Sequence, residues 1–192
     1  MQIRTLTRLF LGTLLLQGCA STAPVGDSGT QTHAGVQLFN ADGGPRFNFY
    51  LACTSRTVNC EIIEREFDAW TDTHRMTGHS VSPGDPAFST GKPSPAQDQA
   101  QPYRLALRYS PEMAASDNAL SGGGQGLPIM SYTATINVFD AATGKLLKTS
   151  AFHDQKMIDQ SQGSATPYLK AQVRAVLSHL DPAYVKGVRA SS

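Results

Sequence analysis

The sequence carries almost no surplus of charge, with 16 Lys and Arg residues against 15 Asp and Glu residues. A nucleic-acid-binding domain needs a clustered basic surplus, so this balance argues against a nucleic-acid partner. The sequence also lacks an apolar run of the ~20 residues that a membrane-spanning helix requires. Gly91 and Lys92 match the end of a phosphate-binding loop, but Pro93 follows where that loop needs Ser or Thr. We therefore expect neither a nucleic acid nor a nucleotide as a partner.

A glycine-rich stretch, LSGGGQG at residues 120–126, is close to the LSGGQ signature of ABC-transporter nucleotide-binding subunits. That signature acts only opposite a phosphate-binding loop, which this sequence lacks. Three consecutive glycines also raise the entropic cost of holding one loop conformation. The stretch is therefore predicted to be a flexible connector between two strands.

The beginning of the chain has the pattern of an export signal. Two arginines precede a short apolar run at residues 9–16, which is far too short to cross a bilayer. The run leads into LQGC at residues 16–19, which resembles the lipobox of bacterial lipoproteins, where the cysteine is acylated and the signal is cut before it. We expect residues 1–18 to be a signal peptide and Cys19 to bind the lipid bilayer through acyl chains such as palmitate. An ordinary cleaved signal with a chance cysteine is the alternative.

The residues after Cys19 predict a location and a tether. Ala20 follows the cysteine instead of Asp, which resembles lipoproteins of enteric bacteria that are passed on to the outer membrane. Residues 19–45 are rich in Ser, Thr, Gly and Asp and have almost no apolar periodicity, which predicts a flexible, lipid-anchored tether. Residues 46–187 are long enough for a single domain. We expect that domain to face the periplasm from the outer membrane.

Two cysteines remain in the mature chain, Cys53 and Cys60. In an oxidising periplasm such a closely spaced pair predicts a disulfide, worth about 2.5 kcal/mol on the chain-entropy model. A metal site at this pair would need further ligands nearby, and no His lies close to it in the sequence. Zinc bound by His74, His79 and His153 is another alternative, although their spacing does not match two ligands on one helical face. We expect no metal and no cofactor.

Alternating apolar residues predict four strands in the domain. They lie at residues 46–53, 103–109, 132–139 and 145–152, and the polar turn at residues 140–144 joins the last two as a hairpin. Ser80 and Val81 are expected to close a short strand. The rest of residues 80–101 contains four prolines and is predicted to be a surface loop.

Apolar residues at helical spacing predict two helices. The first begins after an Asn59 cap, places Trp70 in the core and stops at Gly78. The second is capped by Thr166, and Pro182 ends it.

This order of elements predicts an α+β fold, a two-layer sandwich in which both helices pack on one face of a mainly antiparallel sheet. The opposite face would carry polar side chains, and it is the candidate binding surface. The alternative is that it is only the solvated side of an antiparallel sheet. These side chains are Arg104, Arg108, Thr133, Thr135 and Asn137, together with Asn48 and Tyr50.

The lipobox, the tether, the α+β domain, the FDAATGKLLKTSAF hairpin at residues 139–152 and an amphipathic C-terminal helix resemble small bacterial envelope lipoproteins. These include the auxiliary lipoproteins of ABC-type lipid transport systems and several families of unknown function. The resemblance implies a non-enzymatic role in envelope assembly, transport or stress.

Three functions follow as hypotheses. The first is a lipid-anchored interaction module that binds an envelope protein. The second is a binder of a small ligand, lipid or glycan in a groove between sheet and helices. The third is a hydrolase or metalloenzyme. We favour the first and predict no catalytic residues, because the sequence contains neither a G-x-S-x-G motif nor a coherent triad.

Overall fold

The computed structural model describes residues 35–115, 128–159 and 163–184. The predicted signal peptide, Cys19 and the LSGGGQG stretch lie outside the described residues. Among those described, no helix combines the length and the apolar character needed to cross a membrane. The elements are β1 (Phe47–Cys53), α1 (Cys60–Thr73), β2 (Gly78–Ser80), β3 (Tyr103–Ala115), β4 (Pro128–Asp140), β5 (Leu146–Met157) and α2 (Thr166–Leu180).

The described strands form a five-stranded mixed sheet in the order β2-β1-β3-β4-β5. β1 pairs in parallel with both β2 and β3, whereas β3, β4 and β5 pair antiparallel. The α+β class is confirmed, but the prediction of a mainly antiparallel sheet is wrong. A parallel pair requires the chain to return along the sheet before the next strand begins. Helix α1 makes that return before β2, and residues 81–102 make it before β3.

One face of the sheet, which we call the helix face, packs against both helices. Phe49 and Tyr109 from the sheet contact Phe67 of α1, with ring centroids 5.7 and 6.0 Å apart. Trp70 is buried in the same cluster, which confirms its predicted place in the core. Helix α2 completes this core with Leu169, Val173, Val176, Leu177 and Leu180.

The ends of the helices correct two details of the sequence analysis. Asn59 does cap α1, because its Oδ1 accepts a hydrogen bond from the Glu61 N–H at 2.9 Å. The helix ends before Gly78, however, and Arg75 turns the chain with a φ of 53°. Gly78 instead begins β2. Helix α2 begins at Thr166, so Thr166 is its first residue and not its cap.

The predicted boundary between tether and domain at residue 46 is too late. Leu38 and Phe39 are half-buried against the main core, and the Phe39 ring packs edge-on against Phe47 at 5.6 Å. The Arg46 N–H donates to the Leu38 carbonyl at 2.9 Å, so residues 38–46 fold back as a short turn. Residues 36–45 therefore pack on the domain, because their few apolar side chains lie within reach of the core.

The disulfide between Cys53 and Cys60 is formed, with their Cα atoms 5.8 Å apart, as the sequence predicts. It links the end of β1 to the start of α1. The enclosed loop also docks on β3: the Thr54 N–H donates to the Tyr109 carbonyl at 2.9 Å, and the Met113 N–H donates to Thr57 Oγ1 at 2.8 Å.

Candidate binding face

The sheet face opposite the helices, which we call the second face, is divided by residues 81–102, the cover segment. This segment returns the chain from β2 to β3 and lies over β1 and the first half of β3. Ala87 and Phe88 from the segment form a small second core. Their partners on the sheet are Tyr50, Ala52, Ala106 and Phe139. The proline-rich stretch is thus more than a surface loop, because Ala87 and Phe88 are buried against the sheet.

Arg104 holds the cover segment to the sheet. Its guanidinium donates to the carbonyls of Lys92 and Ser89 at 2.5 and 3.1 Å, and it lies 4.5 Å from the centre of the Phe139 ring. Burial lowers the pKa of the guanidinium below its usual value. Arg104 is only 1% exposed. The expectation that it lies on a solvated binding surface is therefore wrong.

A polar cluster under the cover segment joins Tyr50, His79 and Asp98. The Tyr50 hydroxyl donates to Asp98 Oδ2, and the rings of Tyr50 and His79 stack with centroids 4.7 Å apart. His79 Nε2 lies 3.8 Å from the same carboxylate oxygen. Burial, and then the hydrogen bond to Asp98, raise the pKa of the Tyr50 hydroxyl well above its usual value. Asn48 donates to the Asp98 carbonyl, so Asn48 and Tyr50 also belong to the covered part of this face.

The hairpin turn between β4 and β5 is a further contact of the cover segment. Gly144 has a φ of 69°, and a Cβ atom added there would lie 2.4 Å from the Lys92 carbonyl oxygen. The Gly91 N–H donates to the Gly144 carbonyl at 2.7 Å. The turn itself is held by Asp140, whose pKa is lowered chiefly by the side-chain hydrogen bond from Thr143.

The remaining part of the second face, on β3, β4 and β5, is open and polar, and we call it the open face. Four of the seven side chains predicted for the candidate binding surface lie there together, namely Arg108, Thr133, Thr135 and Asn137. The register places Thr135 directly opposite Arg108, and the other two lie two positions away on either side of Thr135 along β4. Strand β5 adds Thr149, which donates to Asn137 Oδ1 at 2.9 Å, and His153, which lies 3.5 Å from Thr133 Oγ1.

Arg108 marks the border between the covered and open parts of the second face. It is exposed, yet its guanidinium lies 4.5 Å from the centre of the Phe88 ring and donates to the Pro83 carbonyl at 3.2 Å. The guanidinium therefore contacts the cover segment while the residue stays exposed beside the open face. A cation among hydroxyl and amide groups suits a polar or acidic partner surface.

Sequence reasoning missed a buried His–Asp pair on the other side of the molecule. Asp181, 2% exposed, accepts hydrogen bonds from Trp70 Nε1 at 3.1 Å and from His74 Nε2 at 2.7 Å. It ties the end of α1 to the end of α2. Such a pair could orient an imidazole for proton transfer. Within the described residues, however, no hydroxyl or thiol forms a hydrogen bond with His74, so the pair has a structural explanation as an interhelix clamp.

The histidines considered as zinc ligands are separated in the structure. His74 contacts Asp181, His79 stacks on Tyr50, and His153 lies on the open face. In the described part of the chain, no three His, Cys, Asp or Glu side chains are placed to hold a metal ion.

Known proteins resemble this chain only in their structures. No protein-family model and no curated protein matches the sequence. A neuraminyllactose-binding hemagglutinin homolog from Helicobacter pylori is 10% identical, with a TM-score of 0.44 over 72% of this chain and 82% of that one. A minor lipoprotein from Acinetobacter baumannii is 8% identical, with a TM-score of 0.36 over 68% and 91%. The rare lipoprotein B from Shewanella oneidensis is 10% identical, with a TM-score of 0.31 over 74% and 95%.

Bacterial lipoproteins are thus among the solved structures similar to this chain.

Proposed function

We propose that this protein is a lipid-anchored interaction module that faces the periplasm from the outer membrane and binds an envelope protein through its open face. The role would be non-enzymatic and would lie in envelope assembly, transport or stress. The observation that carries the proposal is the open face itself. It is a contiguous polar surface with an accessible arginine at its border, on the side of the sheet that the helices leave free.

Two other features support a location in the cell envelope. The LQGC stretch at residues 16–19 is a lipobox pattern, and the Cys53–Cys60 disulfide suits an oxidising compartment. Anchoring one end of the chain to a membrane would confine the open face to a thin layer beside that membrane. A partner in the same layer then meets it at a raised effective concentration.

The structure does not favour the alternative of a small-ligand groove between sheet and helices. Side chains of the main core occupy that space in the described residues, with Phe67, Tyr109 and Val173 fully buried there. A ligand at this place would have to displace close-packed side chains. The open face needs no such rearrangement, so we place the partner there.

Site-specific crosslinking in intact cells tests the proposal. A photoreactive amino acid at Thr133, exposed on the open face, should give a discrete adduct with another envelope protein, which mass spectrometry would identify. The matched control carries the same amino acid at Asp72, exposed on α1. Equal adducts from both positions, or none from Thr133, would contradict the assignment of the face.

The anchor is tested separately by Cys19→Ala. The variant should lose acyl labelling and leave the membrane fraction, because the acyl chains supply the binding energy. A Cys19→Ala protein that stays membrane-bound and acylated would overturn the lipobox interpretation and leave the open face untouched.

A further inference from the structure

Strand β5 leaves a long edge of the described sheet without a neighbouring strand. It is 12 residues long and pairs only with β4, whereas β2 at the opposite edge has three residues. A long edge strand presents a row of backbone donors and acceptors that can pair with another chain. The three residues of β2 offer no comparable row.

The hydrogen-bond pattern shows which residues of β5 point their backbone groups outward. The Ile158 N–H donates to the Pro128 carbonyl at 2.8 Å, and the register continues as Ile129 opposite Met157. Bonded and non-bonded pairs alternate along an antiparallel ladder. The even-numbered residues of β5 from 148 to 156 therefore bond to β4, and the odd-numbered ones face away from it. The Gln155 N–H fits this pattern, since it turns to the carboxylate of Asp154 at 2.8 Å.

We propose that two copies of this chain pair antiparallel through their β5 edges, with Ala151 of each copy at the two-fold axis. In a continuous sheet, the side chains of two opposite residues lie on the same face. The two-fold axis must therefore lie level with one residue of each strand, and not level with the bond between two residues. Centring on Ala151 sets Lys148 opposite Asp154 of the second copy, twice in each dimer. Shifting the axis by one residue to Phe152 would instead oppose Lys148 and Lys156. Charge complementarity thus favours a second copy as the occupant of this edge, and it favours the register centred on Ala151 over the one centred on Phe152.

The exposed apolar side chains of β5 agree with the same register. Leu146 is 39% exposed and Met157 is 63% exposed, and both lie on the second face, opposite Phe139 and Ile129 of β4. Leu147 is the extra residue of a register shift in β5, which moves Leu146 onto the second face. With that shift, pairing centred on Ala151 brings Leu146 of one copy diagonally beside Met157 of the other at each end of the contact. Diagonal neighbours across a strand pair are within reach of long side chains. The dimer would join the two open faces into one continuous surface.

Cysteine crosslinking tests the two-fold position. In the full chain, purified in detergent and mildly oxidised, Ala151→Cys should form a disulfide-linked dimer. Bonded partners in an antiparallel pair have Cα atoms about 5.5 Å apart, within the range of a disulfide. His153→Cys is the control on the same exposed edge, because the register separates its two copies by more than about 13 Å. If Ala151→Cys stays monomeric, or if His153→Cys links equally well, the proposed pairing is wrong.

Reversing the charges at Lys148 and Asp154 tests the register without a covalent link between the two copies. Lys148→Asp and Asp154→Lys should each weaken dimerisation by about tenfold or more, because both symmetric sites change from attraction to repulsion. The double variant, and an equimolar mixture of the two single variants, should recover it, as measured by analytical ultracentrifugation. Single variants that dimerise like the parent chain, or a double variant without recovery, would overturn the register.

Discussion

The covered and open parts of the second face have the same pattern in the sequence and opposite surroundings in the structure. Arg104 and Arg108 lie four residues apart on one strand and point to the same face. Arg104 is buried beneath the cover segment, and Arg108 is exposed at its border. Alternation along a strand determines the face on which a side chain lies. Whether a side chain on that face is exposed to solvent depends on the cover segment, which lies elsewhere in the chain.

The two parts also differ in how their polar groups are satisfied. Under the cover segment, Arg104 donates to backbone carbonyls and Tyr50 donates to a carboxylate, and both of these side chains are buried. On the open face, Thr149 and Asn137 form a hydrogen bond that water can replace. A lost partner is costly in the first setting and nearly neutral in the second. Substitutions under the cover segment should therefore lower the stability of the fold, whereas substitutions on the open face should chiefly affect binding.

The largest effect is expected at Arg104. Arg104→Ala leaves the Lys92 and Ser89 carbonyls without their donor and removes the cation from the Phe139 ring, so we expect a loss of about 3 kcal/mol in the free energy of unfolding. Arg108→Ala is the matched control on the same strand and should cost less than about 1 kcal/mol. Denaturant unfolding of both variants measures the difference. Equal losses would remove the distinction between the two parts.

Gly144 tests how closely the cover segment lies against the hairpin turn. Gly144→Ala should cost about 2–3 kcal/mol, because the new methyl group meets the Lys92 backbone and the positive φ strains any other residue. Gly91 has a similar φ of 72° with open space around it, so Gly91→Ala carries only the conformational cost of about 1 kcal/mol. Thermal and denaturant unfolding of the two variants isolate the steric contact. A Gly144→Ala protein no less stable than Gly91→Ala would show that the segment can move away.

Tyr50 gives the covered part a response to alkaline pH. Its pKa is raised in the folded protein, chiefly by burial, so the neutral hydroxyl stabilises the fold below the unfolded value of about 10 and this contribution is lost as the pH rises above it. Tyr50→Phe should cost about 1 kcal/mol at pH 7, where the bond to Asp98 is lost. Above pH ~10 the difference should shrink. The free energies of unfolding of the parent chain and of Tyr50→Phe, measured from pH 7 to 11, test both expectations. A difference between the two that stays constant over this range would contradict the assigned role of the Tyr50 hydroxyl.

Local patterns in the sequence predicted the elements that depend on local chemistry. Asn59 caps α1 because its side chain reaches a backbone N–H two residues away. The turn at Asp140–Gly144 forms because Asp140 accepts from Thr143 and Gly144 supplies a positive φ. The disulfide joins cysteines only seven residues apart. In each case the partners are close in the chain, so the spacing is informative.

The features that sequence reasoning missed depend on distant partners. Asp181 contacts His74, which is 107 residues away in the sequence, and Tyr50 contacts Asp98, which is 48 residues away. At such sequence separations no periodic pattern links the two positions. The parallel placement of β3 beside β1 follows from the path of the cover segment, which composition alone described as a loop. The sequence therefore predicted which face of the sheet carries the candidate site. It did not predict how much of that face is open, because the path of the cover segment sets the border.

The smallest effect on stability is expected on the open face, where the effect on binding should be largest. Asn137→Ala removes an exposed hydrogen bond with Thr149, so the free energy of unfolding should change by less than about 0.5 kcal/mol. If the open face binds the proposed envelope partner, the yield of the adduct from a photoreactive residue at Thr133 should fall severalfold. Asp72→Ala on α1 should leave both quantities unchanged. An Asn137→Ala protein that is fully stable and crosslinks like the parent chain would reduce the open face to the solvated side of a sheet, because its polar groups would then contribute neither to folding nor to recognition.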